Sequence, residues 1–200
     1  MKKKIIIIIS IVVLLVFGVV LFLILNNKSN NNELQKENEI KNVKKEDTVV
    51  VYFSASGHTE TIAKKISEKV NCDIFEIIPK QKYTSTDLSY DDDSRSRMEQ
   101  NDSTARPEIE NSFDFSKYDT IYLGFPIWFG KNPKIIFTLL DTYDLSGKTI
   151  IPFCTSGSTP ITDSVEDIRN YNSDLNVKDG MRFSASTSDK KIEEFISEYN

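Results

Sequence analysis

The chain has 200 residues, with 25 Lys and Arg against 30 Asp and Glu, a formal net charge of −5, two cysteines and one histidine. That length allows one domain plus an appendage. The acidic balance excludes nucleic acid, whose phosphate backbone needs a cationic face, and a single histidine gives no support to a His-based metal site.

The appendage comes first. After Met1 and three lysines, Ile5 to Leu25 is apolar except for Ser10 and Gly18. As a helix this run spans roughly 31 Å, the thickness of a hydrocarbon core. It ends in Leu-Ile-Leu-Asn-Asn, with neither the small residues of a cleavage site nor a lipid-anchor cysteine. Residues 1–26 are therefore expected to be an uncleaved membrane anchor. Lysines 2, 3 and 4 flank its start while only Lys28 lies close beyond it, so the positive-inside rule puts the rest of the chain outside the cell membrane. Residues 27–46 are rich in Asn and Lys and lack apolar periodicity, and so are expected to be a flexible tether. Residues 1–45 hold eight lysines and three glutamates, which leaves 17 positive and 27 negative residues over 46–200, that is, for Glu46 and the domain expected over 47–200.

Thr48 to Phe53 reads as a buried strand, and His58 to Val70 as a helix with Ile62, Ala63, Ile66 and Val70 on one face. A second strand is predicted in Cys72–Pro79. A third covers Asp119–Pro126, and the helix within Asn132–Tyr143 has Pro133 near its start. Lys148–Gly157 reads as a fourth strand running into a turn, Ile161–Tyr171 as a helix, and Lys190–Tyr199 as an amphipathic one. A weak fifth strand is expected within Asn176–Ala185. Strands alternating with helices give an α/β fold with a parallel sheet covered on both faces. Ligands then bind beyond the carboxyl ends of the strands, at the loops SASGHT, PIWFG and TSGST. The long polar stretch Lys80–Tyr118 is either a solvated connection with a short helix near Arg95–Asn101 or a flap bringing Tyr83 or Tyr90 to the site.

Several motifs can be set aside. The first loop lacks the glycine spacing of a dinucleotide fingerprint, and LSGKT has Thr142 where a P-loop needs its first glycine. CTSGSTP begins like a phosphatase loop but ends in Pro160 instead of an arginine, so Cys154 is read as a core residue. SASGHT suits either a capped helix start or a phosphate site, where backbone N–H groups, three hydroxyls and Gly57 surround an anion without any cation. Trp128 and Phe129 either cap the core or offer a flat ring surface.

Ser54-Ala55-Ser56-Gly57-His58-Thr59 resembles the flavodoxin phosphate loop, [ST]-x-[ST]-G-x-T. YLGFPIWFGKNP, DLSGKTIIPFCTSGS and SRSRMEQNDSTARPEI resemble the flavodoxin-like group with a PIWWG-type second loop. The resemblance implies a doubly wound five-stranded parallel sheet in the order 2-1-3-4-5, and non-covalent FMN. Ser54, Ala55, Ser56, Gly57, His58 and Thr59 would hold the phosphate, although His58 suits a helix start equally well. Pro126, Ile127, Trp128, Phe129 and Gly130 would line the ring, and Thr155, Ser156, Gly157 and Ser158 would meet its pyrimidine edge. Cys72 and Cys154 would fall on opposite edges of the sheet, too far apart for a disulfide. The third loop departs from many flavodoxins in having no aromatic, which leaves one ring face to a tyrosine of the long connection or to a substrate.

The expected function is electron transfer at the membrane surface, with a redox partner protein or a small-molecule acceptor. Trp128 and the acidic surroundings would lower the flavin potential below that of free FMN. An FMN-dependent reductase of quinones or nitro compounds, and a flavin-free binding module, are the alternatives.

Overall fold

The computed structural model describes residues 44–184 and 186–199. The expected anchor and most of the expected tether lie outside the described residues, among which no helix is long and apolar enough to cross a membrane. Along the chain run β1 (Thr48–Tyr52), α1 (His58–Val70), β2 (Asp73–Glu76), α2 (Arg95–Asn101), β3 (Thr120–Pro126) and α3 (Ile135–Thr142). They are followed by β4 (Thr149–Thr155), α4 (Thr162–Tyr171), β5 (Asn176–Val177), β6 (Met181–Phe183) and α5 (Asp189–Glu198). All sheet pairings between these strands are parallel, and the order is β2-β1-β3-β4-β5, with β6 also on β4.

This is the expected 2-1-3-4-5 order with one difference: the fifth position is filled by two short segments. β5 pairs with the start of β4 and β6 with its end. Between them Gly180 has φ +71, and a Cβ there would lie 2.2 Å from the Pro152 carbonyl oxygen. Pro152 also has no N–H for a ladder bond. The edge strand therefore turns where β4 offers least, and resumes so that the loop after Phe183 reaches the carboxyl end of the sheet.

Burial alternates with the pleat. Val49, Val51, Leu123, Ile150 and Cys154 face one side, under Ile135, Ile136 and Leu139 of α3 and Val165 and Ile168 of α4. Val50, Tyr52, Tyr122, Ile151 and Phe153 face the other, under Ile62, Ala63 and Ile66 of α1 and Ile192, Phe195 and Ile196 of α5. Cys72 and Cys154 are free and buried in these two opposite clusters, and burial pushes their thiols up to about 11 and about 12.

At Gly124 the parallel neighbour Phe153 lays its ring across the strand, and an added Cβ would meet its Cζ at 2.2 Å. Phe153 has 0% exposure and packs against Phe183 and Phe195, so it has nowhere to retreat. Gly124→Ala is expected to destabilise the domain by roughly 1–3 kcal/mol through overpacking. Calorimetry should show the melting point falling by roughly 2–4 °C per kcal/mol, and an unchanged value would mean that the ring moves freely.

Candidate functional site

Four loops leave the carboxyl ends of β1, β3, β4 and β6 and enclose a cleft of about 650 Å³. Ser56 and His58 come from the first loop, Pro126, Ile127 and Trp128 from the second, and Thr155, Ser156 and Gly157 from the third. Tyr90 of the long connection and Ser184 and Ser186 of the fourth loop complete the lining.

The first loop is built as a donor cup. Gly57 stands just before α1 with φ +83, a left-handed turn that glycine adopts without strain. Its N–H donates to the Ser54 hydroxyl at 3.1 Å, so Ser54 braces the turn from inside. Among the described residues no acceptor takes the N–H of Ala55, Ser56, His58, Thr59 or Glu60. The first amide of α1 to be bonded is that of Thr61, to the Gly57 carbonyl at 3.0 Å. Free amides at the positive end of a 13-residue helix form a site for an anion. Ser56 and His58 are exposed on its rim, with Ser56 Oγ 3.3 Å from His58 Nδ1. Thr59 is buried, and its Oγ1 shares a 2.7 Å hydrogen bond with Thr155 Oγ1, tying the first loop to the third.

The second loop is a tight hairpin. Trp128 and Lys131 exchange backbone hydrogen bonds at 2.8 and 3.1 Å. Phe129 (φ 49) and Gly130 (φ 91) are both left-handed, which is the geometry of a type I′ turn. Trp128 is half-buried, edge-to-face with Phe53 at 5.5 Å and with Tyr83 at 4.9 Å. Tyr83 is fixed in turn: its hydroxyl donates to Glu99 at 2.6 Å, and the Arg95 guanidinium lies 4.0 Å from its ring centroid. Burial and the Glu99 carboxylate push the Tyr83 phenol well above its ordinary value, so it remains a neutral donor. The two readings of Trp128 thus coincide, since one ring both caps the core and lines the cleft. Phe129 points elsewhere, between Tyr90 at 5.7 Å and Arg97 at 4.0 Å.

The third loop is held from behind. Arg182 Nη1 donates to the Ser156 and Gly157 carbonyls at 3.1 and 3.2 Å. Within a planar trans peptide the N–H points opposite to the C=O. The amides of Gly157 and Ser158 are therefore turned away from the guanidinium, and no acceptor among the described residues takes either. Ser156 Oγ donates to the Thr159 carbonyl, which closes the turn.

Eight of the fifteen residues expected to hold the ligand line the cleft: Ser56, His58, Pro126, Ile127, Trp128, Thr155, Ser156 and Gly157. Ser54, Gly57 and Thr59 shape the first loop from within, and Ala55 packs on the core. Phe129, Gly130 and Ser158 do not line it. Of the two tyrosines considered for a flap, Tyr90 lines the cleft and is 86% exposed, whereas Tyr83 supports Trp128 from beneath. Sequence reasoning missed Ser184, Ser186 and Arg182. A signal was there: Phe-Ser-Ala-Ser occurs twice, at 53–56 and at 183–186, each time leaving a strand end. Among the described residues no cluster of three or more His, Cys, Asp or Glu could hold a metal.

A family model described as flavodoxin matches residues 47–199. Among solved structures, a presumptive flavoprotein from Bacteroides uniformis is 38% identical, with a TM-score of 0.73 over 76% of this chain and 97% of that one. A second presumptive flavoprotein, from Bacteroides eggerthii, is 37% identical with a TM-score of 0.72 over 76% and 96%. A flavoprotein in complex with FMN from Lactobacillus acidophilus is 24% identical, with a TM-score of 0.58 over 75% and 98%, and is alike in fold. No curated protein matches the chain.

Proposed function

We infer the function from one premise: the chain belongs to the flavodoxin family. FMN is its cofactor, bound in the four-loop cleft, and its work is electron transfer. The observation that carries this reading is the row of unpartnered amides at the start of α1, facing the same cleft as Trp128 and the third loop. That donor set fits a phosphate monoester at one end and a flat heteroaromatic ring at the other. It also explains why the first loop needs no lysine or arginine.

When bound, FMN accepts and returns one or two electrons, and the residues set how readily it does so. The Ser56 hydroxyl and the amides of the first loop hold the phosphate. Trp128, already wedged against Phe53 and Tyr83, gives the ring a wall that costs little ordering on binding. Gly157 offers its N–H group to the pyrimidine edge. Arg182 places a positive charge behind that edge, which favours the negative charge gained on reduction and opposes the acidic surroundings.

Arg182→Met is expected to lower the reduction potential. At a cost on the order of 1–2 kcal/mol for losing a partly screened charge, the shift is about 20–40 mV for a two-electron couple. Arg182→Lys should recover most of it. Potentials equal across the three proteins would remove Arg182 from the electrostatics of the site.

The direct test is to add FMN to the full chain in detergent. One equivalent should quench flavin fluorescence and shift the visible bands, and a protein that stays colourless and leaves fluorescence unchanged sinks the proposal. A second reading, an FMN-dependent reductase of quinones or nitro compounds, is favoured by the third loop, which offers no aromatic cover, and by the exposed Tyr90. Steady-state turnover with a nicotinamide donor and a quinone separates it from a carrier that exchanges electrons only with a partner protein. The apolar segment Ile5–Leu25 and its lysines support placing this chemistry on the outer face of the cell membrane.

A further inference from the structure

A second cleft, of about 470 Å³, lies where the end of α2, the start of α3 and α4 meet, and it shares no lining residue with the first. Its walls include Arg106, Lys131, Lys134, Asn132, Gln100 and Tyr171. Three cations gathered at one place are unexpected in a domain with nine more negative than positive residues. Two of them are neutralised. Arg106 pairs with Asp141 at 2.6 Å and donates to the Tyr171 hydroxyl at 3.1 Å, and Lys131 pairs with Asp167 at 2.8 Å.

Lys134 is different. Among the described residues it has no carboxylate within ion-pair distance, and its ammonium lies 5.6 Å from the Phe137 ring centroid. Burial, and then the charges of Arg106 and Lys131, pull its pKa below the ordinary lysine value. An anion beside it would relieve both repulsions.

Asn132 is the second and independent sign. It is 1% exposed, yet neither Oδ1 nor Nδ2 has a hydrogen-bond partner among the described residues. Its backbone carbonyl is engaged, accepting from Gln100 Nε2 at 3.0 Å. A buried amide with both halves unpaired is costly to keep, and a leucine of similar shape would avoid that cost. The residue makes sense if an acceptor in the cleft takes its Nδ2–H.

We propose that this cleft binds a small molecule carrying an oxyanion headgroup, a carboxylate or a phosphate monoester, anchored by Lys134 and hydrogen-bonded by the Asn132 side chain. Lys131 ends the hairpin that carries Trp128, so a ligand here would sit directly behind the second loop of the flavin cleft. The proposal does not depend on flavin binding.

The test uses the full chain in detergent micelles, ¹⁵N-labelled, titrated with inorganic phosphate, with acetate, and with chloride at matched ionic strength. The Asn132 side-chain amide signals should move saturably with phosphate or acetate and not with chloride, and the more effective of the two identifies the headgroup. Lys134→Met should weaken the response at least tenfold. Asn132→Leu should abolish the rise in melting point that the oxyanion gives the parent chain, while melting no lower than the parent without it. Three results would overturn the proposal: a chloride response equal to the others, an undiminished response in Lys134→Met, or a lower melting point for Asn132→Leu in oxyanion-free buffer. The last would mean that ordered water satisfies the amide. Because all three are read without flavin, they stand apart from the outcome of the FMN titration.

Discussion

Ser56→Glu is expected to weaken FMN binding about a hundredfold while leaving the fold unchanged. Ser56 is exposed on the rim of the first loop, so a longer side chain displaces nothing in the core. What changes is the charge facing the phosphate. Two like charges about 4 Å apart repel by about 4 kcal/mol at an effective dielectric of about 20. Solvent at the rim reduces this, and the hundredfold loss corresponds to about 2.7 kcal/mol. Ser56→Ala supplies the comparison: losing one hydroxyl donor should cost only about 0.5–1.5 kcal/mol. Fluorescence titration of the three proteins gives the ratio directly, with far-ultraviolet circular dichroism to confirm the fold. Equal affinities for Glu and Ala would show that the phosphate lies elsewhere.

Trp128→Ala should act on stability and binding together. Full burial of such a ring is commonly worth about 3–5 kcal/mol on truncation, and for a half-buried one about 2–3 kcal/mol is expected. The loss falls on Phe53 and Tyr83, whose edge-to-face contacts at 5.5 and 4.9 Å end on that ring. Denaturant unfolding without flavin measures that part alone. FMN affinity should fall a further ten- to hundredfold, since the ring wall and its contact area are lost. Trp128→Phe should retain much of both. A mutant with reduced stability but parental FMN affinity would make Trp128 a core residue only.

The two substitutions divide the cleft as the chain does. The first loop is a local device, complete within six residues, and its chemistry could be read from residue types alone. Small hydroxyl residues and one glycine between a buried strand and a periodic helix can hardly avoid presenting amides to solvent. The second loop has a meaning that no window of residues contains. Trp128 lines a cleft because Tyr83, 45 positions earlier, holds its edge, and Tyr83 is set by Glu99 and Arg95 of the short helix α2. The long connection that looked like solvent-exposed chain or a flap is in part a buttress.

By itself the sequence determined the α/β class, the order of elements, the helix from His58 to Val70 and three of the four loops. These follow from short-range rules: a period of two or 3.6 residues, turn chemistry and buried apolar runs. The split of the fifth strand, the return of Phe-Ser-Ala-Ser at Ser184 and Ser186, the grip of Arg182 on two carbonyls and the unpaired amide of Asn132 were decided by tertiary structure. Each depends on which strand lies beside which, and parallel neighbours are joined by crossovers long enough to bring residues together that share no local pattern.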